Sequence, residues 1–196
     1  MSIYLYDKAL IDKIKSWTQN TDVHVYGPDD TRKVFEVIAD STNDKPIELP
    51  IIVIRRKSSF DIKVPRRQVL SYDGPTLDAS FAKSLQLNAI PVTIDYQIDI
   101  YCRYLQEADE YVRNLIFNLI NFPSLTIKIP YNDLYKEHNC SMIISPTIND
   151  NSDIPERLVS GQFTRFTIDV TLADAYLWDV RYRDNYQIEA QLDVEN

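Results

Sequence analysis

Asp95 and Asp99 are the first residues whose types and spacing suggest chemistry. Two carboxylates on one strand face could share acid–base work. Four residues along a strand is about 13 Å, however, and a glycosidase pair needs roughly 5–9.5 Å. The pair therefore reads as a solvated or partner-facing strand surface, with Gln97 between the two acids. Glu137, His138, Asn139 and Cys140, together with His24, offer metal-ligating atoms, but neither histidine belongs to a paired metal motif. His138 reads as a loop residue. Cys102 and Cys140 read as small strand residues that pack as hydrophobes. A thiolate is disfavoured on the apolar face where Cys102 falls. The basic residues Arg55, Arg56, Lys57, Lys63, Arg66 and Arg67 cluster in an acidic protein, with Asp61 as the one acid among them. This stretch could dock an acidic neighbour, contact nucleic acid, or balance charge on a solvated arm.

The elements needed for other chemistries are missing. The 3 glycines, Gly27, Gly74 and Gly161, are too scattered for a phosphate loop, a dinucleotide fingerprint or a nucleophile elbow. The chain is therefore expected to be no enzyme and to hold no cofactor and no metal. Its net charge of −8 repels phosphate backbones and anionic lipid. The first residues show no basic-then-apolar leader, and no apolar run approaches the roughly 20 residues of a membrane span. The expectation is a cytosolic chain with reduced thiols and no membrane partner.

Periodicity places these residues on elements. Tyr6, Leu10, Ile14 and Trp17 predict a helix over 5–17. Asp22–Tyr26 predicts a short strand, broken by Gly27-Pro28-Asp29-Asp30. Asp29 or Asp30 then caps a second helix carrying Val34, Phe35 and Ile38, and Ser41–Pro46 is a loop. Ile47–Arg56 predicts a strand that is apolar on both faces through Ile51–Ile54, hence covered on both sides. Lys57–Pro91 has weak periodicity and several breakers. It reads as a long inserted arm, an extended hairpin with a short helix around Leu77–Leu85.

The strongest signal is Val92–Cys102. Val92, Ile94, Tyr96, Ile98, Ile100 and Cys102 alternate with Thr93, Asp95, Gln97, Asp99 and Tyr101. Such alternation predicts a half-buried antiparallel strand whose polar face is wet or meets a partner. A helix from Glu107 to Asn121 follows, acidic in its first turns, with Ala108, Val112, Leu115, Ile116 and Leu119 as its apolar stripe; Phe122-Pro123 ends it. Three strands complete the pattern. They are centred on Leu125–Ile129, Met142–Ile144 and Phe166–Leu172, with a turn at Pro130–Asp133 and a polar loop at Asn149–Asp153. From Ala173 the chain reads as an extended aromatic and acidic tail with Tyr176, Trp178, Tyr182 and Tyr186. The expected fold is a single α+β domain over 1–196. It holds a mostly antiparallel sheet of about 4–6 strands with helices packed on one face, plus the arm at 57–91 and the tail at 173–196. The 13 tyrosines fit either a protein interface or a tyrosine-rich sheet surface. An RNA-binding sheet is disfavoured because Phe163 and Phe166 fall on opposite faces.

The run Val92–Cys102, the acidic-start helix Glu107–Asn121, Pro123, a short strand, and Phe163–Leu172 ending in Ala173-Asp174 form a pattern over residues 90–175. This pattern resembles the tail terminator (tail completion) proteins of tailed bacteriophages. The resemblance implies a small α+β subunit, made in the host cytoplasm and built into the virion tail or neck. Copies of it would form a ring, commonly a hexamer, on the tail tube. That ring would meet the tube protein, the neck or connector, and in contractile tails the sheath, with DNA passing through its lumen. The family offers no catalytic residues. The long arm at 57–91 and the two N-terminal helices depart from its usual pattern, which also fits another neck, head–tail connector or baseplate component. The further alternative is a nucleic-acid-contacting protein that uses the basic arm. The surfaces on which binding is expected are Arg55–Arg67, the Asp95–Gln97–Asp99 face, and Tyr176 with Trp178.

Overall fold

The computed structural model describes residues 3–18, 23–30, 34, 49–63, 70–74, 83–131, 134–152 and 164–184. The elements are α1 (Ile3–Trp17), β1 (His24–Tyr26), a 3-10 turn at Pro28–Asp30, β2 (Ile51–Ile62), β3 (Leu70–Gly74) and β4 (Lys83–Cys102). Then follow α2 (Leu105–Asn121), β5 (Ser124–Tyr131), β6 (Leu134–Asp150) and β7 (Thr164–Asp184). The fold is mixed α+β. Six strands run in the order β1-β2-β4-β7-β6-β5, and β3 joins β4 beside β2. The β1–β2 pair is parallel and all the others are antiparallel.

The core forms where the two periodicities meet. On β4, Val92, Ile94, Tyr96, Ile98, Ile100 and Cys102 are fully buried. They pack under Tyr6, Leu10 and Ile14 of α1 and under Ala108, Val112, Leu115 and Leu119 of α2. Both helices thus lie on one face of the sheet. Ile116, at the margin of the α2 stripe, is partly buried. Strand β2 is covered on both sides, as its run of four apolar residues predicts. Ile52 and Ile54 join this main core, while Ile51 and Val53 join Val34 and Tyr101 on the opposite face. Gly27 packs against α1, where a Cβ would press on the end of the Ile11 side chain.

Several expectations are corrected. The described parts of 57–91 continue the sheet: residues 57–62 extend β2, 70–74 form β3, and β4 begins at Lys83. Lys83, Ser84 and Leu85 are strand, where a short helix was expected. Pro91 lies inside β4. Its carbonyl accepts from the Lys63 N–H at 3.0 Å, so its N–H-less edge faces the gap between β2 and β3, where no ladder bond is lost. Asn149 and Asp150 belong to β6, not to a loop, and His138 is also in β6, paired with Ile127. Strand β5 runs through Pro130 to Tyr131 and pairs there with Leu134, which narrows the expected turn. Residues 173–184 are not a tail. They continue β7 against β4, from Ala175 opposite Val92 to Asp184 opposite Lys83. The expectations placed on Phe35, Ile38, Ser41–Pro46, Phe163 and Tyr186 lie outside the described residues.

Strand β7 changes phase at one point. Val92 pairs with Ala175 and Ile94 with Leu172, so Ala173 and Asp174 together oppose Thr93. This is a bulge, and Asp174 takes the left-handed conformation with φ 58°. Strand β6 pairs with β7 up to Ala173 and then turns away with β5. The backbone of Tyr176 is left without a strand on that side, and α1 supplies the partner. The Tyr6 hydroxyl accepts from the Tyr176 N–H at 2.7 Å and donates to its carbonyl at 3.1 Å. Burial pushes the Tyr6 phenol up to about 12, so it stays protonated and can do both. Replacing Tyr6 with Phe strands both backbone groups, at an expected cost of about 1–3 kcal/mol in urea unfolding. No measurable loss would show that the hydroxyl is not a structural link.

Candidate functional site

The face of β4 that points away from the helices carries the predicted polar residues, and register brings their partners to them. Thr167 on β7 and Val53 on β2 lie opposite Asp99, Arg165 lies opposite Tyr101, and Arg55 lies opposite Gln97. Asp99 is fully buried. Its carboxylate accepts from Arg55 Nε at 2.8 Å and from Arg55 Nη2, from Arg165 Nε and Nη2 at 3.3 Å, from Thr167 Oγ1 at 2.7 Å, and from Gln97 Nε2 at 3.0 Å. The Arg165 guanidinium also stacks over the Tyr101 ring at 5.4 Å. Asn151 Nδ2 donates to Thr167 Oγ1 at 2.7 Å, and Ser152 Oγ accepts the Arg165 N–H at 3.0 Å. Asp99 is therefore the centre of a closed network, which corrects its expected place on a solvated surface. A buried carboxylate is tolerated only when donors fill its lone pairs, and two guanidiniums, a hydroxyl and an amide do so here.

Asp95 remains half-buried on the same face and accepts from Thr171 Oγ1 at 2.6 Å. With Asp99 sequestered, the two acids do not converge on a common point. The basic stretch is divided in the same way. Arg55 is held by Asp99, Arg56 Nη1 donates to Asp7 Oδ2 at 2.7 Å, and Lys57 Nζ lies 3.3 Å from Asp169 Oδ1. Lys63 is exposed, and Arg66 and Arg67 lie outside the described residues. Three of the expected docking cations are thus engaged in holding the sheet and α1 together.

Sequence reasoning missed the second buried acid. Asp7, on the first turns of α1, accepts from the buried Tyr96 hydroxyl at 2.6 Å as well as from Arg56. Burial pushes its carboxyl up from the ordinary value despite these two donors. The only hint in the sequence is an acid next to the apolar position Tyr6. Arg165 and Thr167 were missed likewise, because alternation marks them as polar-face residues and says nothing of what covers that face.

Tyr176 and Trp178 belong to β7. Their rings lie 5.4 Å apart, and the His138 ring meets them edge-on at 5.1 and 5.3 Å. The His138 Nε2 lies 2.9 Å from the Asp174 carbonyl exposed by the bulge. This cluster therefore packs where β6 leaves β7. Among the described residues no three His, Cys, Asp or Glu side chains gather to hold a metal, and no helix is long and apolar enough to cross a membrane.

Two outcomes follow from this geometry. Asp99→Asn leaves two guanidiniums facing a neutral amide and should cost about 3–5 kcal/mol in chemical denaturation. A loss below about 1 kcal/mol would contradict the closed network. Burial pushes both cysteine thiols up to about 12, so at pH 8 the thiolate fraction is negligible. Native protein should resist iodoacetamide and react at Cys102 and Cys140 only after unfolding; rapid native labelling would contradict that burial. In comparison with known proteins, the chain matches no protein-family model and no curated protein.

Proposed function

We propose that this chain is a structural subunit of a phage tail that closes into a ring, six copies by the resemblance, and ends the tail tube where it joins the neck or sheath. The observation that carries this reading is the outer surface of α2. One stripe of the helix is buried against the sheet, yet Leu105, Phe117, Ile120 and then Phe122 remain 55–61% exposed. Phe117 and Ile120 stand one turn apart, next to Phe122 at the helix end, so they form a local apolar surface. Large apolar groups gathered this way mark surfaces that other protein subunits cover. The polar residues left on the sheet face, Asp95 and Gln97 among them, form the rim of such contacts.

The same features serve another neck, connector or baseplate subunit. A nucleic-acid role draws less support, because Arg55, Arg56 and Lys57 already face carboxylates.

Native mass spectrometry and electron microscopy with assembled tail tubes test the proposal. The expected result is a closed oligomer that caps the tubes. A chain that stays monomeric at every concentration and leaves the tubes uncapped overturns it. Phe117→Asp combined with Ile120→Asp alters exposed side chains, so folding stability should change by about 0.5 kcal/mol or less per site. Assembly should weaken by about tenfold or more. Unchanged assembly would remove α2 from the interface.

A further inference from the structure

One row of side chains on α2 has an order that complements itself. Leu105, Asp109, Arg113 and Phe117 stand four residues apart, so they line one ridge of the helix about 18 Å long. All four are exposed, Leu105 by 55% and Phe117 by 61%. The packing of Ala108, Val112, Leu115 and Leu119 into the core turns this ridge away from the sheet. Along it the chemistry runs apolar, acid, base, apolar. Read from the other end, the same row presents the complement of each member at the same spacing.

The charges of the row are not engaged within the chain. Arg55, Arg56, Lys57 and Arg165 all face carboxylates, whereas among the described residues Asp109 and Arg113 have no ion-pair partner. A second α2, laid antiparallel with its own row on this one, meets both needs. The partner's Phe117 then falls on Leu105 and the partner's Arg113 on Asp109, and the two-fold axis repeats both contacts. Exposed Glu110, beside Asp109, puts another acid within reach of the partner's Arg113. Rows of residues four apart are the ridges through which helices most often pack. A parallel arrangement in the same register would set acid on acid and base on base, which repel.

We propose that free copies of this chain pair through α2 in an antiparallel, two-fold contact. The proposal stands on the α2 residues themselves and goes beyond the tail reading. Before assembly, the α2 surface that the ring reading assigns to other subunits is occupied by a second copy. One surface cannot meet both, so the pair shields Phe117 until a tail partner displaces it. Contact between two helices about 25 Å long belongs at the small end of protein interfaces, below about 1,200 Å². The pair is accordingly weak enough to exchange, with an expected Kd of about 1–100 μM.

Analytical ultracentrifugation of the full-length chain and two charge-swapped variants tests this. The unmodified chain should dimerise with no tail tubes present. Asp109→Arg with Glu110→Gln makes the row of one variant basic, and Arg113→Asp makes the row of the other acidic. Each alone should self-associate at least about tenfold more weakly, because like charges then face each other across the axis. Mixed in equal amounts, they should pair within about threefold of the original affinity, since a basic row then meets an acidic one. Disulfide trapping reads the same geometry without changing charge. A Leu105→Cys chain should cross-link to a Phe117→Cys chain, and two Phe117→Cys chains should not cross-link to each other; Cys102 and Cys140 stay buried and inert. A chain that remains monomeric at about 1 mM overturns the pairing. So does a dimer that the swaps leave unchanged, that the mixture fails to restore, or that links Phe117→Cys to itself. Tube capping separates the two readings. Capped tubes without a pair in solution reject the pairing alone, whereas a charge-controlled pair beside uncapped tubes rejects the tail reading alone.

Discussion

Strand β4 has to bury both of its faces, and the two faces have opposite chemistry. One presents Val92, Ile94, Tyr96, Ile98, Ile100 and Cys102, which need a nonpolar cover. The other presents Asp99 and Tyr101, which are buried as well and need donors and stacking partners. Everything else is arranged around that requirement. The helices α1 and α2 close the apolar side, where burial of each large side chain contributes about 1.5–3 kcal/mol. The neighbours β2 and β7 bring Arg55 and Arg165 to the other side, where an unpaired carboxylate would cost far more than any one apolar contact returns.

Polar contacts also fix how the helical layer sits on the sheet. α1 is pinned at three points along its length. Asp7 meets Tyr96 and Arg56, Tyr6 meets the Tyr176 backbone, and Lys13 Nζ donates to the Ser124 carbonyl at 2.6 Å. Apolar packing alone tolerates sliding of a helix over a sheet; directional bonds at separate points do not. The second of these contacts exists because the Asp174 bulge lets β6 and β5 leave β7, which opens a length of strand edge inside the protein. The bulge, the aromatic cluster of His138, Tyr176 and Trp178, and the Tyr6 clasp are thus one local solution to a change of pairing partner.

The sheet's edges are treated unequally. On β5 the outward-facing groups meet Lys13 at Ser124, and Pro130, in phase with Ser124, offers no N–H outward. Lysine and proline are the usual means of keeping an edge from pairing. The outer edge of β2 past Val53 has no strand against it among the described residues, and exposed Phe60 and Ile62 line it.

Helix α1, helix α2, the two-faced burial of β2 and the inward face of β4 were legible in the sequence, because side-chain periods of 3.6 and 2 are imposed by local backbone geometry. The inert packing of Cys102 and Cys140 was legible for the same reason. What lies opposite a residue was not. Alternation placed Asp99 on the polar face, but only the alignment of β2 and β7 on β4 decided that two arginines would close over it. The residues after Ala173 read as a tail because the bulge at Asp174 interrupts the alternation, and only long-range pairing with β4 made them strand. Pro91 read as a breaker until the gap between β2 and β3 gave its missing N–H nowhere it was needed. Local chemistry thus determined the elements and their apolar faces. The tertiary structure decided which polar groups are sheltered, since shelter depends on neighbours brought together from distant parts of the chain.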